Sequence, residues 1–351
     1  MKLYQENGYV NPEILFHPLY PFVLGWGARG IGKTVTINGA CVERRQNDVN
    51  EDFLYLRRKK EHADICMKPE LTPFKKVNKT FSYSLTTAKI DKNIGGVYEG
   101  VESDGKITPQ GAPLGFISSL AGIGNVRGMD FDEVRTVFYD EYTGEKTDRA
   151  IKDEDELILN TYETINRNRE IDPENPLPPL RLIAMSNSNQ FVNPLFKAFD
   201  IIDIAEKMVK EKKTLVTLPQ RGIMIINFLN SPISLLKQKT ALYRATNNQK
   251  FKNMALENDF NLDKNVIIKP RNIAHAAPIA TFSNGFTIYD VKNGVLYIDS
   301  RSSGSPPLFS GDRQGVVQFM RNFPRLYQRI LKGACEFQNY TVYDYVKKTL
   351  L

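Results

Sequence analysis

Residues Gly27 to Thr34 spell GARGIGKT, a glycine-rich octet ending in Lys-Thr whose spacing suits the wrapping of backbone N–H groups around a chain of phosphates. Glycines at 27, 30 and 32 let the main chain turn tightly and approach the ligand. Lys33 can reach the β- and γ-phosphates, and the Thr34 hydroxyl suits Mg²⁺. The expected ATP-binding loop is therefore Gly27, Ala28, Arg29, Gly30, Ile31, Gly32, Lys33 and Thr34. Such a loop works only between a buried strand and a helix N-terminus. Phe22 to Trp26 (FVLGW) supplies the apolar strand. VTINGACVERR supplies the helix, with Arg44 and Arg45 in its last turn, where they suit the helix dipole.

A nucleotide site of this kind also needs a strand that delivers carboxylates to the same edge. Val134 to Glu141 (VRTVFYDE), about a hundred residues downstream, is such a strand. Ligands bind at the C-terminal edge of a parallel sheet, so Asp140 is placed to hold Mg²⁺ through a water and Glu141 to orient and deprotonate the attacking water. Three further clusters fit an ATPase of the additional-strand, catalytic-glutamate type. LRLIAMSNSN ends a buried strand in polar residues, and Asn187 or Ser186 at its tip can sense the γ-phosphate, although the same residue types serve ordinary turns. NRNRE puts Arg167 and Arg169 at a helix end, where arginines suit the dipole and where one can also reach a neighbouring subunit's γ-phosphate. RRKK at 57–60 can contact phosphate in cis or in trans, or form a solvated basic turn.

The elements that must position these residues fall into three zones. The first, a P-loop α/β domain over 1–206, alternates strands (Phe22 to Trp26, Phe53 to Arg57, Leu114 to Ser118, Val134 to Tyr139, Leu180 to Ser186) with helices after Lys33, Lys59, Asp153 and Asn193. Asp153 is the expected N-cap of its helix, and Phe81 to Gln110 is an expected β-hairpin insertion. The second zone, 207–262, is Lys-rich and reads as a small helical linker. The third, 263–351, should be α+β, with a hairpin of Ala280 to Val291 and Val295 to Asp299 around a Lys292-Asn293-Gly294 turn, then helices near Gly315 to Leu331 and Thr341 to Leu351.

Charge is distributed unevenly. Residues 231–351 hold 17 basic and 8 acidic side chains against 30 and 32 in the first 230, an asymmetry that points to a polyanion contact in the C-terminal third. Lys264, Lys269, Arg271, Arg321, Arg325 and Arg329 are its expected carriers. Three scattered cysteines argue against a disulfide framework and a zinc site. Neither a membrane span nor a secretory leader is read from the sequence, so a cytosolic protein is expected. From Asp263 onward six acids face 12 lysines and arginines. Of these, Asp290 and Asp299 flank the hairpin turn and could face each other, but no further acid has a place beside them for a two-metal site.

The combination FVLGWGARGIGKT, YLRRKKE, VFYDEY, NRNRE, LIAMSNSNQFVNPLF and NGFTIYDVKNGVLYID resembles the DNA-packaging ATPases of small tailed bacteriophages with protein-primed linear genomes. That resemblance implies a ring, a pentamer, on the portal vertex of an empty capsid, moving double-stranded DNA inward in the host cytoplasm, with a packaging RNA as a further partner. It implies an RNase H-like C-terminal domain that has lost its activity, and it matches Arg167 to the trans-acting arginine. Two alternatives remain at this point: a headful-type terminase with a live nuclease, and a nucleotide-switched DNA-binding module that moves nothing.

Overall fold

The computed structural model describes residues 2–48, 50–124, 131–144, 151–174, 176–187, 192–248, 252, 256, 267–291 and 295–351. Two compact units divide the chain, one formed by Met1–Asp200 with Ile204–Asn261 and the other by Ile201–Asp203 with Leu262–Leu351.

The larger unit is built on β1 (Phe22–Gly27), β2 (Asp52–Arg57), β3 (Leu85–Asp91), β4 (Ile94–Ser103), β5 (Lys106–Ser119), β6 (Val134–Asp140), β7 (Arg181–Ser186), β8 (Leu215–Leu218) and β9 (Ile223–Phe228). They form one sheet in the order β3-β4-β5-β2-β6-β7-β1-β9-β8. The six strands from β5 to β9 in that order run parallel, and antiparallel strands close both edges. Strand β7 lies between β1 and β6, the arrangement expected of an additional-strand ATPase. The central strands are buried nearly end to end, because helices cover both faces of a parallel sheet and leave no water-facing side. Helix α1 (Lys33–Asn47) leaves directly from β1 and buries Ile37, Cys41 and Val42 in the core.

Several expectations need correction. The 207–262 segment is not a helical linker: β8 and β9 lie within it, and β9 pairs with β1 along its whole length. Its Lys-rich flanks had masked the apolar run IMIINF. The expected insertion at Phe81 to Gln110 is also not a lone hairpin. It forms β3, β4 and the first part of β5, which extend the main sheet. Strand β5 begins at Lys106 rather than Leu114 because its exposed half tolerates Pro109, Gly111 and Pro113, residues that pattern reading takes for loop. Helix α2 (Lys60–Cys66), α3 (Phe74–Phe81), α4 (Leu120–Ile123) and α5 (Glu154–Asn166) complete the part that frames the site. Asp153 stands before α5 at φ 48° with no capping hydrogen bond from its side chain, so it is not the cap its sequence position suggests.

The smaller unit is α+β, with β10 (Ile267–Ile268), β11 (Ala277–Phe282), β12 (Phe286–Val291), β13 (Val295–Asp299), β14 (Leu308–Phe309) and β15 (Cys335–Phe337). Strands β11, β12 and β13 form an antiparallel meander, and β15 and β10 continue the sheet in parallel from β13. The expected strand Ala280 to Val291 is thus split into β11 and β12 by a turn at Gly285, while the turn at 292–294 lies outside the described residues. The expected helix to Leu331 is likewise two, Arg313–Asn322 and Pro324–Leu331, broken ahead of Pro324 because proline disfavours helical backbone in the residue before it. Helix Tyr340–Leu350 packs Val342, Val346 and Leu350 into this unit's own core.

Candidate nucleotide site

The loop between β1 and α1 opens into a cavity of about 550 Å³ whose wall carries six basic side chains and two carboxylates, a balance suited to polyphosphate. Gly32 (φ 84°) is positioned by necessity: a Cβ there would also meet the Tyr9 ring at 2.6 Å. Lys33 is 8% exposed. Its ammonium donates to the carbonyls of Gly27 (3.0 Å) and Ala28 (2.9 Å) and to Oδ1 of Asn187 (3.1 Å). Burial lowers its pKa to about 8, against the opposing pull of Asp140 and Glu141. These three acceptors are neutral, so an anionic ligand can displace them at an electrostatic gain.

Strand β6 brings the carboxylates. Asp140 is 1% exposed and its Oδ2 accepts from Thr34 Oγ1 (2.8 Å), Tyr55 OH (2.9 Å) and Arg57 Nη1 (2.9 Å). Glu141 follows at φ 56°, its amide donating to the Met185 carbonyl (2.8 Å), and its carboxylate pairs with Arg57 Nη2. The left-handed backbone matters here. Successive residues of a strand point to opposite faces, and the turn at Glu141 breaks that alternation so that one guanidinium spans both acids. Thr34 and Asp140 are hard oxygen donors side by side at the mouth of the loop, a donor set that would suit Mg²⁺. Among the described residues no cluster of three or more His, Cys, Asp or Glu could make an all-protein cage.

The tandem arginines are therefore not a solvated turn. Arg57 binds the acids of the site, whereas Arg58 is buried in a two-pronged pair with Glu154 (2.6 Å and 2.6 Å) that ties the end of β2 to the start of α5. At the other end of α5, Arg167 and Arg169 differ sharply. Arg169 is 8% exposed and donates to the carbonyls of Asn166, Val134, Phe131 and Ile165, which makes it a strut. Arg167 stands at φ 48° with 44% of its side chain exposed and pairs with the exposed Asp132 at 3.1 Å. Both arginines lie at the edge where β6 and β7 begin, opposite the edge where those strands end at the cavity. Arg167 thus stands away from the cavity.

A family model described as the podovirus DNA encapsidation protein (Gp16) matches residues 5–309. The chain belongs to that family. Packaging of phage DNA is accordingly its function. A DNA packaging protein of Bacillus phage phi29 is 27% identical over 344 residues, covering 94% of this chain and 91% of the relative. Two solved structures share the fold over 97% of this chain at a TM-score of 0.63. They are the bacteriophage Phi-29 viral genome packaging motor assembly, at 21% identity over 99% of that chain, and the Phi-28 gp11 DNA packaging motor, at 17% identity over 98%.

In this encapsidation protein the Lys33, Thr34, Asp140, Glu141 and Asn187 side chains converge on one cavity. Arg167 does not join them. Sequence reasoning missed Tyr55, for which the available signal was its place two residues before Arg57 and so on the same face of the strand, and Thr143, whose hydroxyl joins Ser186 Oγ and the Asn187 carbonyl. It also missed Tyr9, on an N-terminal segment that carried no motif. In the smaller unit, Asp290 and Asp299 do not face each other. Asp299 pairs across the hairpin with Thr287, three residues from Asp290, so the two acids lie on opposite faces. Among the expected polyanion contacts, Arg271 is bound to Glu336, Lys269, Arg321 and Arg325 are exposed, and Lys264 lies outside the described residues.

Proposed function

We propose that this encapsidation protein is a Mg²⁺-dependent ATPase working as a homo-oligomeric ring, a pentamer, on the portal vertex of an empty capsid. It drives double-stranded DNA inward in the host cytoplasm, with a packaging RNA as a further partner. The observation that carries this reading is the convergence of Lys33, Thr34, Asp140 and Glu141 on one basic cavity. Lys33 exchanges its neutral acceptors for the β- and γ-phosphates. Thr34 and Asp140 would hold Mg²⁺, which supplies charge neutralisation on the phosphate oxygens. Glu141 accepts a proton from the attacking water once its carboxylate is released from Arg57, which otherwise withholds it. Asn187, tied to Lys33, orients that water. Arg167 completes the adjacent subunit's site, because its place at the far edge of the sheet bars it from its own.

The smaller unit is, in this reading, an RNase H-like domain without nuclease activity that contacts polyanions; its α+β meander with parallel extension and the opposed faces of Asp290 and Asp299 support this over a live-nuclease terminase. The test is packaging of a labelled genome into purified empty capsids with ATP and accessory factors. Wild-type protein should protect DNA from added nuclease and Glu141→Gln should not. Absence of ATP hydrolysis by wild-type protein in an assembly that takes up DNA would overturn the motor assignment.

A further inference from the structure

Two residues on the wall of the nucleotide cavity, Tyr9 and Val35, offer apolar surface rather than charge and play no part in the mechanism above. Tyr9 belongs to an N-terminal segment that is fixed at its backbone. Its carbonyl accepts from Gln5 N (2.8 Å) and its amide donates to Asn7 Oδ1 (2.9 Å), while the next residue, Val10, is fully buried and donates to the Ile31 carbonyl (2.9 Å). That carbonyl faces away from the ligand-directed N–H of its own peptide, so the backbone braces the loop from behind. The half-exposed Tyr9 ring does something else. It lies over Gly32, where a Cβ would meet Cδ1 at 2.6 Å, and forms part of the cavity wall.

The side from which this segment approaches identifies the part of the ligand nearest to the ring. Strand β1, which delivers the loop, lies between β7 and β9. Asp140, Glu141 and Asn187 reach the cavity from β6 and β7, on one side of β1. The Tyr9 segment comes from the other. Tyr4 OH donates to the carbonyl of Leu229, the residue after β9 (2.9 Å), and Gly8 lies against Pro232 and Ile233, which an added Cβ would meet at 3.2 and 3.1 Å. The terminal phosphate of a bound triphosphate lies toward the acids that handle the metal and the attacking water. The nucleoside therefore extends the opposite way, across the loop toward Tyr9. Val35, half-buried at the start of α1, lines the wall where the first phosphate meets the helix N-terminus.

We propose that Tyr9 is the platform on which the nucleobase stacks, with Val35 as the aliphatic surface beside it. This deepens the ATPase reading and rests on it. A ring held by its backbone loses little freedom when a base is laid on it, and every base has a π-face to offer, a purine the larger one. The loop and the carboxylates then recognise the phosphates, and the N-terminal segment distinguishes a nucleotide from a bare phosphate chain.

The test compares binding of a non-hydrolysable Mg²⁺-ATP analogue and of Mg²⁺-tripolyphosphate, which has the phosphates and no base, to the full chain by calorimetry. Tyr9→Ala should weaken the ATP analogue about tenfold or more, the scale of one base–aromatic stack, and leave tripolyphosphate within about twofold. Tyr9→Phe, which keeps the ring, should bind both as the wild type does. Equal weakening of both ligands by Tyr9→Ala would reduce Tyr9 to a brace of the loop and overturn the proposal, as would unchanged binding of both. Thermal unfolding of each variant checks that the fold persists, and Tyr9→Leu, which keeps an apolar cover on Gly32 without a π-face, should show the same selective loss even where the alanine variant is unstable. Since hydrolysis is not read, wild-type protein that binds neither ligand sinks the nucleotide site itself, whereas wild-type binding of both with no selective loss in the variants sinks only the role of Tyr9.

Discussion

Two pairs of acids, one in each sheet, show how differently equivalent residues can be used. Asp140 and Glu141 are adjacent in sequence and should point apart, yet the left-handed backbone at Glu141 turns both toward Arg57 and the cavity. Asp290 and Asp299 flank a hairpin and look poised to meet, yet the ladder sends them to opposite faces. Asp299 is instead fully buried and held by Arg301 through Nε (2.8 Å) and Nη2 (2.6 Å). Proximity in sequence is a weak guide to shared chemistry; register parity and a single positive φ decide it.

The largest expected effect on the first pair comes from Arg167, at the opposite edge of the sheet. If the first pair works only in a ring, Arg167→Ala should lower ATP hydrolysis by roughly 10³-fold or more while leaving nucleotide binding intact. Mixing it with Lys33→Ala should restore part of the activity, since each variant supplies what the other lacks. Co-assembled mixtures with no recovery would place Arg167 in a structural role. Within the pair, Glu141→Gln should lose about 10²- to 10⁴-fold in hydrolysis with Mg²⁺-ATP still bound, because only the proton acceptor is gone. Equal turnover by this variant and the wild type would shift the base to another residue.

A smaller effect follows from Lys33. Its free-state pKa of about 8 means that it is charged below that pH and loses its proton above it, whereas bound phosphate favours the charged form. ATP binding above about pH 8 must therefore take up a proton, and affinity should fall with rising pH by up to about tenfold per unit while staying flat below. A titration of the dissociation constant from pH 7 to 9.5 checks this, and a flat profile would show that Lys33 is not the group being charged.

For the second pair the outcome should be structural only. Asp299→Asn should cost about 1–3 kcal/mol of unfolding free energy, through a weakened pair between the buried Asp299 and the half-exposed Arg301, and leave hydrolysis unchanged. Asp290→Ala, at an exposed position, should change neither quantity measurably. Incubating the full chain with plasmid DNA and Mn²⁺ should give no cleavage; cuts abolished by Asp290→Ala would restore the live-nuclease terminase.

The sequence by itself determined the loop, its strand and helix, the acid-ended strand, the buried strand that ends at Ser186 and the α+β character of the C-terminal region. These are local patterns, in which residue type and spacing act within one turn or one strand. Only the tertiary structure decided that 207–262 contributes two strands to the main sheet, that Tyr55 and Arg57 hold Asp140, that Arg169 is a strut while Arg167 is exposed, and that the segment carrying Tyr9 stands against the phosphate loop. Arg57 and Asp140 are 83 residues apart, and Tyr4 and Leu229 are 225 apart. Contacts at such separations depend on strand order and on which face each residue takes, and both are set by packing the whole sheet at once rather than by any segment's own preference.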